Sequence, residues 1–129
     1  MIINLHKTKK GDYIDLPLVD NRNDAITLLM ETKDNGGLRF SDDGFLMTDC
    51  YCLYEQQMTK EEFAVEILTY LKRSLINVRM ENNDGIISFV HDAKNLNLEE
   101  PLWAGSCILF GQLIAKAHQH FWEKAQNYD

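Results

Sequence analysis

The last third of the sequence carries a helical pattern of apolar residues that any fold of this chain has to bury. From Trp103 to Phe121 the apolar positions recur at alternating steps of four and three residues, which predicts a long amphipathic helix. The stripe consists of Trp103, Cys107, Phe110, Ile114, Ala117 and Phe121, with Leu109, Leu113 and Trp122 beside it. A stripe this wide supplies either core or a seam between two copies of the chain. The residues expected at such a homodimer seam are Trp103, Leu109, Phe110, Leu113 and Phe121.

Two turn signals predict β-hairpins in the remainder of the chain. The first is Asp-Asn-Gly-Gly at 34–37, and the second is Asp-Gly at 84–85. These residue types tolerate the positive φ angles that tight hairpin turns require. The strands expected on either side of the turns are 25–32, 38–40, 77–81 and 85–90.

The residues before the first hairpin give a weaker pattern. Residues 13–18 alternate loosely and contain Pro17, which predicts an edge strand because proline has no amide hydrogen for a ladder. The lysines at 7, 9 and 10 are typical of a flexible, solvated arm.

The middle of the chain contains a clear helix start. Thr59 followed by Glu62 has the spacing of a capping box, and the apolar face after it predicts a helix to about residue 75. Residues 45–57 fit neither period cleanly, and we expect a short helix there. Asn97 is a candidate cap for the last helix.

These elements predict one α+β domain over residues 1–129. It contains small antiparallel hairpins packed with two to three helices, including the long C-terminal amphipathic helix. A chain of 129 residues with 45% hydrophobic residues can bury a core of its own.

The excess negative charge is concentrated in one segment. The chain holds 20 acidic and 13 basic residues, for a net charge of -7. Residues 1–40 are balanced and 71–129 carry -1, whereas 41–70 carry -6. That segment holds Asp42, Asp43, Asp49, Glu55, Glu61, Glu62 and Glu66 against a single lysine. An acidic chain argues against direct nucleic-acid binding. The segment is either a solvated surface or a face that binds a basic protein.

Cysteine usage and the N-terminal residues indicate a cytoplasmic location. Three cysteines do not form an even disulfide set, and the apolar residues at the start precede the basic ones, unlike a secretory signal. No stretch reaches the roughly 18 apolar residues of a membrane span. We therefore expect reduced thiols and no membrane attachment.

Asp42 and Asp43, with Asp49 close behind, are the most plausible cation ligands. Neighbouring carboxylates can hold Mg²⁺ when they converge. However, adjacent residues on an extended chain point to opposite sides, and Ser-Asp-Asp-Gly at 41–44 is ordinary turn chemistry. We favour the turn.

The histidines and cysteines suggest no catalytic set. Cys50 and Cys52 with Cys107 and His91 do not match structural zinc spacing, so buried thiols are the expectation. His91 followed by Asp92 lacks a nucleophile placed by any motif. His118 and His120 diverge on a helix, and His118 is expected at the edge of the core. We predict no catalytic residues, no metal and no cofactor.

Three runs resemble a known family. They are Gly-Asp-Tyr-Ile-Asp-Leu-Pro at 11–17, the strand at 25–30, and Leu-Arg-Phe-Ser-Asp-Asp-Gly at 38–44. Together they are similar to the bacterial and prophage family known as the domain of unknown function numbered eighteen twenty-eight, over roughly residues 10–90. The resemblance implies a hairpin running into a turn and a helix, with no catalytic residues. It also implies a mobile genetic element, a setting where small acidic proteins often inhibit host defence.

The sequence therefore predicts a non-enzymatic, acidic protein-binding module. Its expected partner is a protein with a basic, nucleic-acid-binding surface, such as a host defence nuclease or a CRISPR complex. The alternative is a metal-dependent enzyme that acts on nucleic acid through Asp42 and Asp43. A third hypothesis is a structural role through the last helix.

Overall fold

Six antiparallel strands form one sheet in the part of the chain that the computed structural model describes, namely residues 4–19, 25–34, 36–75, 77–93 and 102–127. The sheet order is β1-β2-β3-β4-β6-β5. The strands are β1 Asn4–Lys7, β2 Asp12–Val19, β3 Ala25–Thr32, β4 Leu38–Ser41, β5 Val78–Asn83 and β6 Ile86–Ala93. The helices are α1 Phe45–Cys50, α2 Lys60–Lys72 and α3 Leu102–Ala125, and a 3₁₀ turn at Tyr51–Leu53 follows α1. The predicted α+β class is confirmed.

Both predicted hairpins form. In the β5–β6 hairpin Asp84 and Gly85 have φ angles of 54° and 86°, the paired positive values of a type I′ turn. The β3–β4 turn is closed by the Lys33 amide, which donates to the Gly37 carbonyl at 2.8 Å. This turn contains Gly36 at φ 84°.

Two strand expectations are wrong. Residues 13–18 lie within β2, which is flanked by β1 and β3 and is not an edge strand. The expected flexible arm is instead partly a strand, since Asn4–Lys7 pairs with β2 and forms the edge. The β2–β3 register shifts between Asp15 and Val19, around Pro17 with its missing amide hydrogen. In addition, β4 pairs with β6, so the two hairpins belong to one sheet.

The predicted helix start at Thr59 is confirmed as a capping box. The Glu62 amide donates to the Thr59 hydroxyl at 3.1 Å, and the Thr59 amide donates to the Glu62 carboxylate at 2.9 Å. The short helix expected within 45–57 is α1 with its 3₁₀ extension. Asn97 lies outside the described residues.

Helix α3 packs its apolar stripe on one face of the sheet, against β2, β3, β4 and β6. Phe110, Leu113 and Phe121 are buried within the single chain, so their assignment to a dimer seam is wrong. Trp103 is half-buried against the core, and Leu109 is 56% exposed. None of the described helices combines the length and apolarity needed to cross a bilayer.

Candidate functional site

Asp42 is the buried anchor of α1 and does not belong to the surface. Its Oδ1 accepts from the Gly44 amide at 3.2 Å and the Phe89 amide at 2.9 Å, and its Oδ2 accepts from the Leu46 amide at 3.0 Å. The residue is only 2% exposed, and burial raises the pKa of the carboxyl to about 6 despite these hydrogen bonds. The prediction that Asp42 contacts a partner is therefore wrong.

Asp43 points away from Asp42 and ties the β1–β2 loop to the turn. Its Oδ1 is 2.7 Å from the Lys10 ammonium, and its Oδ2 accepts from the Tyr13 hydroxyl at 2.8 Å. The backbone φ of 52° places Asp43 in the left-handed region that Asp and Asn tolerate. The two neighbouring carboxylates thus bind different partners, and this arrangement does not fit the cation site that their adjacency suggested.

Asp49 connects α1 to a buried histidine of α3. Its Oδ2 is 2.9 Å from Nε2 of His118, which is fully buried. The imidazole is stacked between the rings of Phe45 and Trp122, at centroid distances of 5.0 and 5.4 Å. His118 Nδ1 is buried without a hydrogen-bond partner among the described residues. The histidine expected at the core edge is inside the core, where Asp49 orients it.

The other four carboxylates of the segment lie on the protein surface. Glu55, in the turn before α2, is exposed, as are Glu61, Glu62 and Glu66 on the helix itself. We call these four residues the acidic end of α2. Within the described part of the chain, Glu66 has a cation nearby, the Lys124 ammonium at 3.7 Å, whereas Glu55 and Glu61 have none within ion-pair distance.

Sequence reasoning missed a network of ion pairs on the face of the sheet that α3 leaves open. Arg39, with a side chain only 14% exposed, bridges Glu31 on β3 and Glu81 on β5. Arg79 then pairs with both Glu81 and Asp92. A cleft of about 440 Å³ lies beside the network. Because each of these charges faces an opposite one, the network stabilises the open face without giving it a strong net charge. The sequence signal for this network was the position of Arg39 between two apolar residues, Leu38 and Phe40, in a predicted strand.

The remaining candidates do not assemble a metal or acid–base site. Cys50 and Cys107 are buried, as expected, but Cys52 is exposed, so the expectation of a buried thiol is wrong there. Burial raises the pKa of the Cys107 thiol to about 12. His91 packs near Phe110 on the covered face, while Asp92 pairs with cations on the open face, because successive strand residues alternate. Across the described ranges, no three His, Cys, Asp or Glu side chains are grouped so that they could hold a metal ion.

Comparison of the chain with models of protein families, with curated proteins and with solved structures finds no match. The resemblance to the prophage family therefore stays a prediction.

Proposed function

We propose that this protein is a non-enzymatic binding module whose acidic end of α2 contacts a basic surface on a partner protein. The observation that carries the proposal is the exposure of four carboxylates on one helix and the turn before it. Amid them lies Val65, which is 53% exposed and offers an apolar contact.

The arrangement follows from the helical period. Residues four apart share a face, with Cβ atoms about 5–6 Å apart, so Glu61 lies beside Val65 and Glu62 lies beside Glu66. The opposite side of α2 is buried through Phe63, Ala64, Ile67 and Leu71. The carboxylates of Glu61 and Glu62 therefore project away from the core, while Glu66 lies toward α3, near Lys124. A group of like charges of this kind steers association with a surface of opposite sign.

The seven carboxylates of the acidic segment differ in their contacts, and this difference supports the same proposal. Asp42, Asp43 and Asp49 have contacts inside the fold, to backbone amides, to Lys10 and to His118 respectively. Glu62 has a second role, because its carboxylate completes the capping box. Glu55 and Glu61 have no such contact among the described residues, so they are the most informative positions for a test.

The class of partner follows from the charge. A protein surface that binds nucleic acid is rich in Lys and Arg, and carboxylates in a row can occupy the positions of phosphates there. With the prophage resemblance, this points to a host protein that handles nucleic acid, such as a defence nuclease or a CRISPR complex, as the partner that the module inhibits.

The test is capture of partners from a bacterial lysate at low and high salt, with the double variant Glu55→Lys/Glu61→Lys beside the parent. The matched control is Asp34→Lys/Glu123→Lys, which makes the same charge change at exposed positions elsewhere. We expect parent and control to retain a basic protein that salt releases, and Glu55→Lys/Glu61→Lys to lose it. Equal capture by all three proteins, or no basic partner at low salt, contradicts the proposal.

A further inference from the structure

A pocket of about 280 Å³ lies between α2 and the C-terminal half of α3. Three nitrogen-bearing side chains line it, although the chain as a whole is acidic. Arg73 comes from the end of α2, and His120 and Lys124 come from successive turns of α3. The positions 120 and 124 are four residues apart and therefore lie on one face of the helix. Two helices thus direct their positive groups toward one concave site.

Aromatic contacts hold His120 in a fixed orientation at this pocket. Its ring stacks on Tyr70 at a centroid distance of 4.4 Å and an interplanar angle of 20°. The ring also meets Phe121 edge-on, at 4.9 Å and 88°. Because Phe121 is part of the core, the imidazole is positioned by the fold.

The donors at the pocket have unused hydrogen-bonding capacity. In the described part of the chain, neither the Arg73 guanidinium nor the His120 imidazole has a hydrogen-bond partner. Among the described residues Lys124 has one ion-pair partner, the Glu66 carboxylate at 3.7 Å, which is longer than a hydrogen bond. The pocket therefore offers three donor groups to a ligand.

Two cationic side chains act on the His120 ring. Burial lowers the pKa of His120, and the positive charges of Lys124 and Arg73 lower it further, against an opposing effect of Glu123. Glu66 is the acidic residue that lines the pocket. A bound anion reverses this effect, because it favours the protonated imidazole.

We propose that this pocket binds a small phosphorylated anion, either inorganic phosphate or a phosphate monoester. The Arg73 guanidinium can donate two parallel hydrogen bonds to phosphate oxygens, and Lys124 adds a point charge. Protonated His120 supplies a further donor. The volume lies just below the roughly 300–1,000 Å³ of pockets for drug-sized ligands, which favours a small molecule. The pocket borders the acidic end of α2, because Val65 and Glu66 also line it. The two proposals are tested at different residues, Arg73 and Lys124 for the anion and Glu55 and Glu61 for the partner protein, so the failure of one is distinguishable from the failure of the other.

The test is a titration of the histidine ring resonances by NMR with inorganic phosphate and with phenyl phosphate. Phenol and sodium chloride at matched ionic strength are the controls. We expect saturating phosphate or phenyl phosphate to raise the pKa of His120 by about 1 unit, as an adjacent opposite charge does. We expect the buried His91 and His118 to be unaffected.

Two double variants distinguish binding of the anion at this pocket from nonspecific electrostatic attraction to surface lysines and arginines. Arg73→Gln/Lys124→Gln should abolish the shift, whereas Lys72→Gln/Lys116→Gln, the same charge change at exposed positions outside the pocket, should keep it. The four positions are exposed, so the variants should fold, and circular dichroism verifies this. The proposal is overturned if chloride reproduces the shift, if phosphate causes none, or if both double variants lose it equally.

Discussion

Replacing Asp42 tests whether one buried carboxylate joins α1 to β6. In Asp42→Ala the three buried amides of Gly44, Leu46 and Phe89 lose their acceptor. Each buried donor left without a partner costs about 1–3 kcal/mol. Removing the carboxylate also relieves its own desolvation, so we expect a net loss of about 3–5 kcal/mol at pH 7. Urea unfolding followed by tryptophan fluorescence measures this loss.

The pH dependence of stability gives a second and more specific readout of Asp42. Burial raises its pKa from 3.8 to about 6 in the folded state, so the folded protein holds the proton where the unfolded chain has released it. The part of the stability that comes from this proton binding is therefore greatest below pH 3.8 and is lost as the pH rises toward 6, while the hydrogen bonds of the carboxylate remain. Relative to Asp42→Asn, the parent should be more stable at pH 4.5 than at pH 7 by about 2 kcal/mol.

The neighbouring carboxylate is the matched control. Asp43→Asn keeps a residue that tolerates the left-handed backbone and loses a partly exposed ion pair with Lys10, so it should cost less than about 1 kcal/mol. The reasoning is refuted if Asp42→Ala is as stable as Asp43→Asn, or if the difference between parent and Asp42→Asn does not change with pH.

Four further substitutions test other parts of the structure. Thr59→Ala should lower the free energy of unfolding by about 1 kcal/mol in urea titration, since an N-terminal amide of α2 loses its cap. Tyr54→Phe removes the hydroxyl that donates to the Phe121 carbonyl at 2.5 Å and should also cost about 1 kcal/mol, and an unchanged midpoint argues against that bond. Gly85→Val should cost about 1–3 kcal/mol through backbone strain alone, because φ is 86° and no atom lies within 4 Å of the added Cβ. We also predict that the exposed Leu109 lies in a contact between two copies of the chain. Light scattering should then give a mass of 15.0 kDa for Leu109→Glu and a larger mass for the parent, and a parent mass of 15.0 kDa contradicts this.

Local chemistry made the hairpin turns and the helix start predictable. The paired positive φ angles at Asp84 and Gly85, and the reciprocal bonds of Thr59 and Glu62, involve residues close in the sequence. The joining of the two hairpins is different, because it depends on Leu38 pairing with Ala93 across both α1 and α2. Periodicity within one segment contains no information about such a pairing.

The site was harder to predict than the fold for a related reason. Asp42 and Asp43 are chemically identical neighbours, yet one is buried under α1 and the other faces Lys10. They are distinguished by distant parts of the fold, because β6 supplies the Phe89 amide to Asp42 and the β1–β2 loop supplies Lys10 to Asp43. Likewise the pocket near His120 depends on how α2 lies against α3. A count of charges along the sequence cannot show that basic residues of the two helices lie close together.

The position of β4 inside the sheet has a consequence for the synthesis of this protein. One neighbour of β4 is the strand made just before it, but the other is β6, which leaves the ribosome only after α1, α2 and β5. Until Ile86–Ala93 emerges, the hydrogen-bonding groups on one side of β4 have no partner strand, and such an open edge can pair with a strand of another chain. During the interval of translation between β4 and β6, this edge of the nascent chain is therefore open to aggregation.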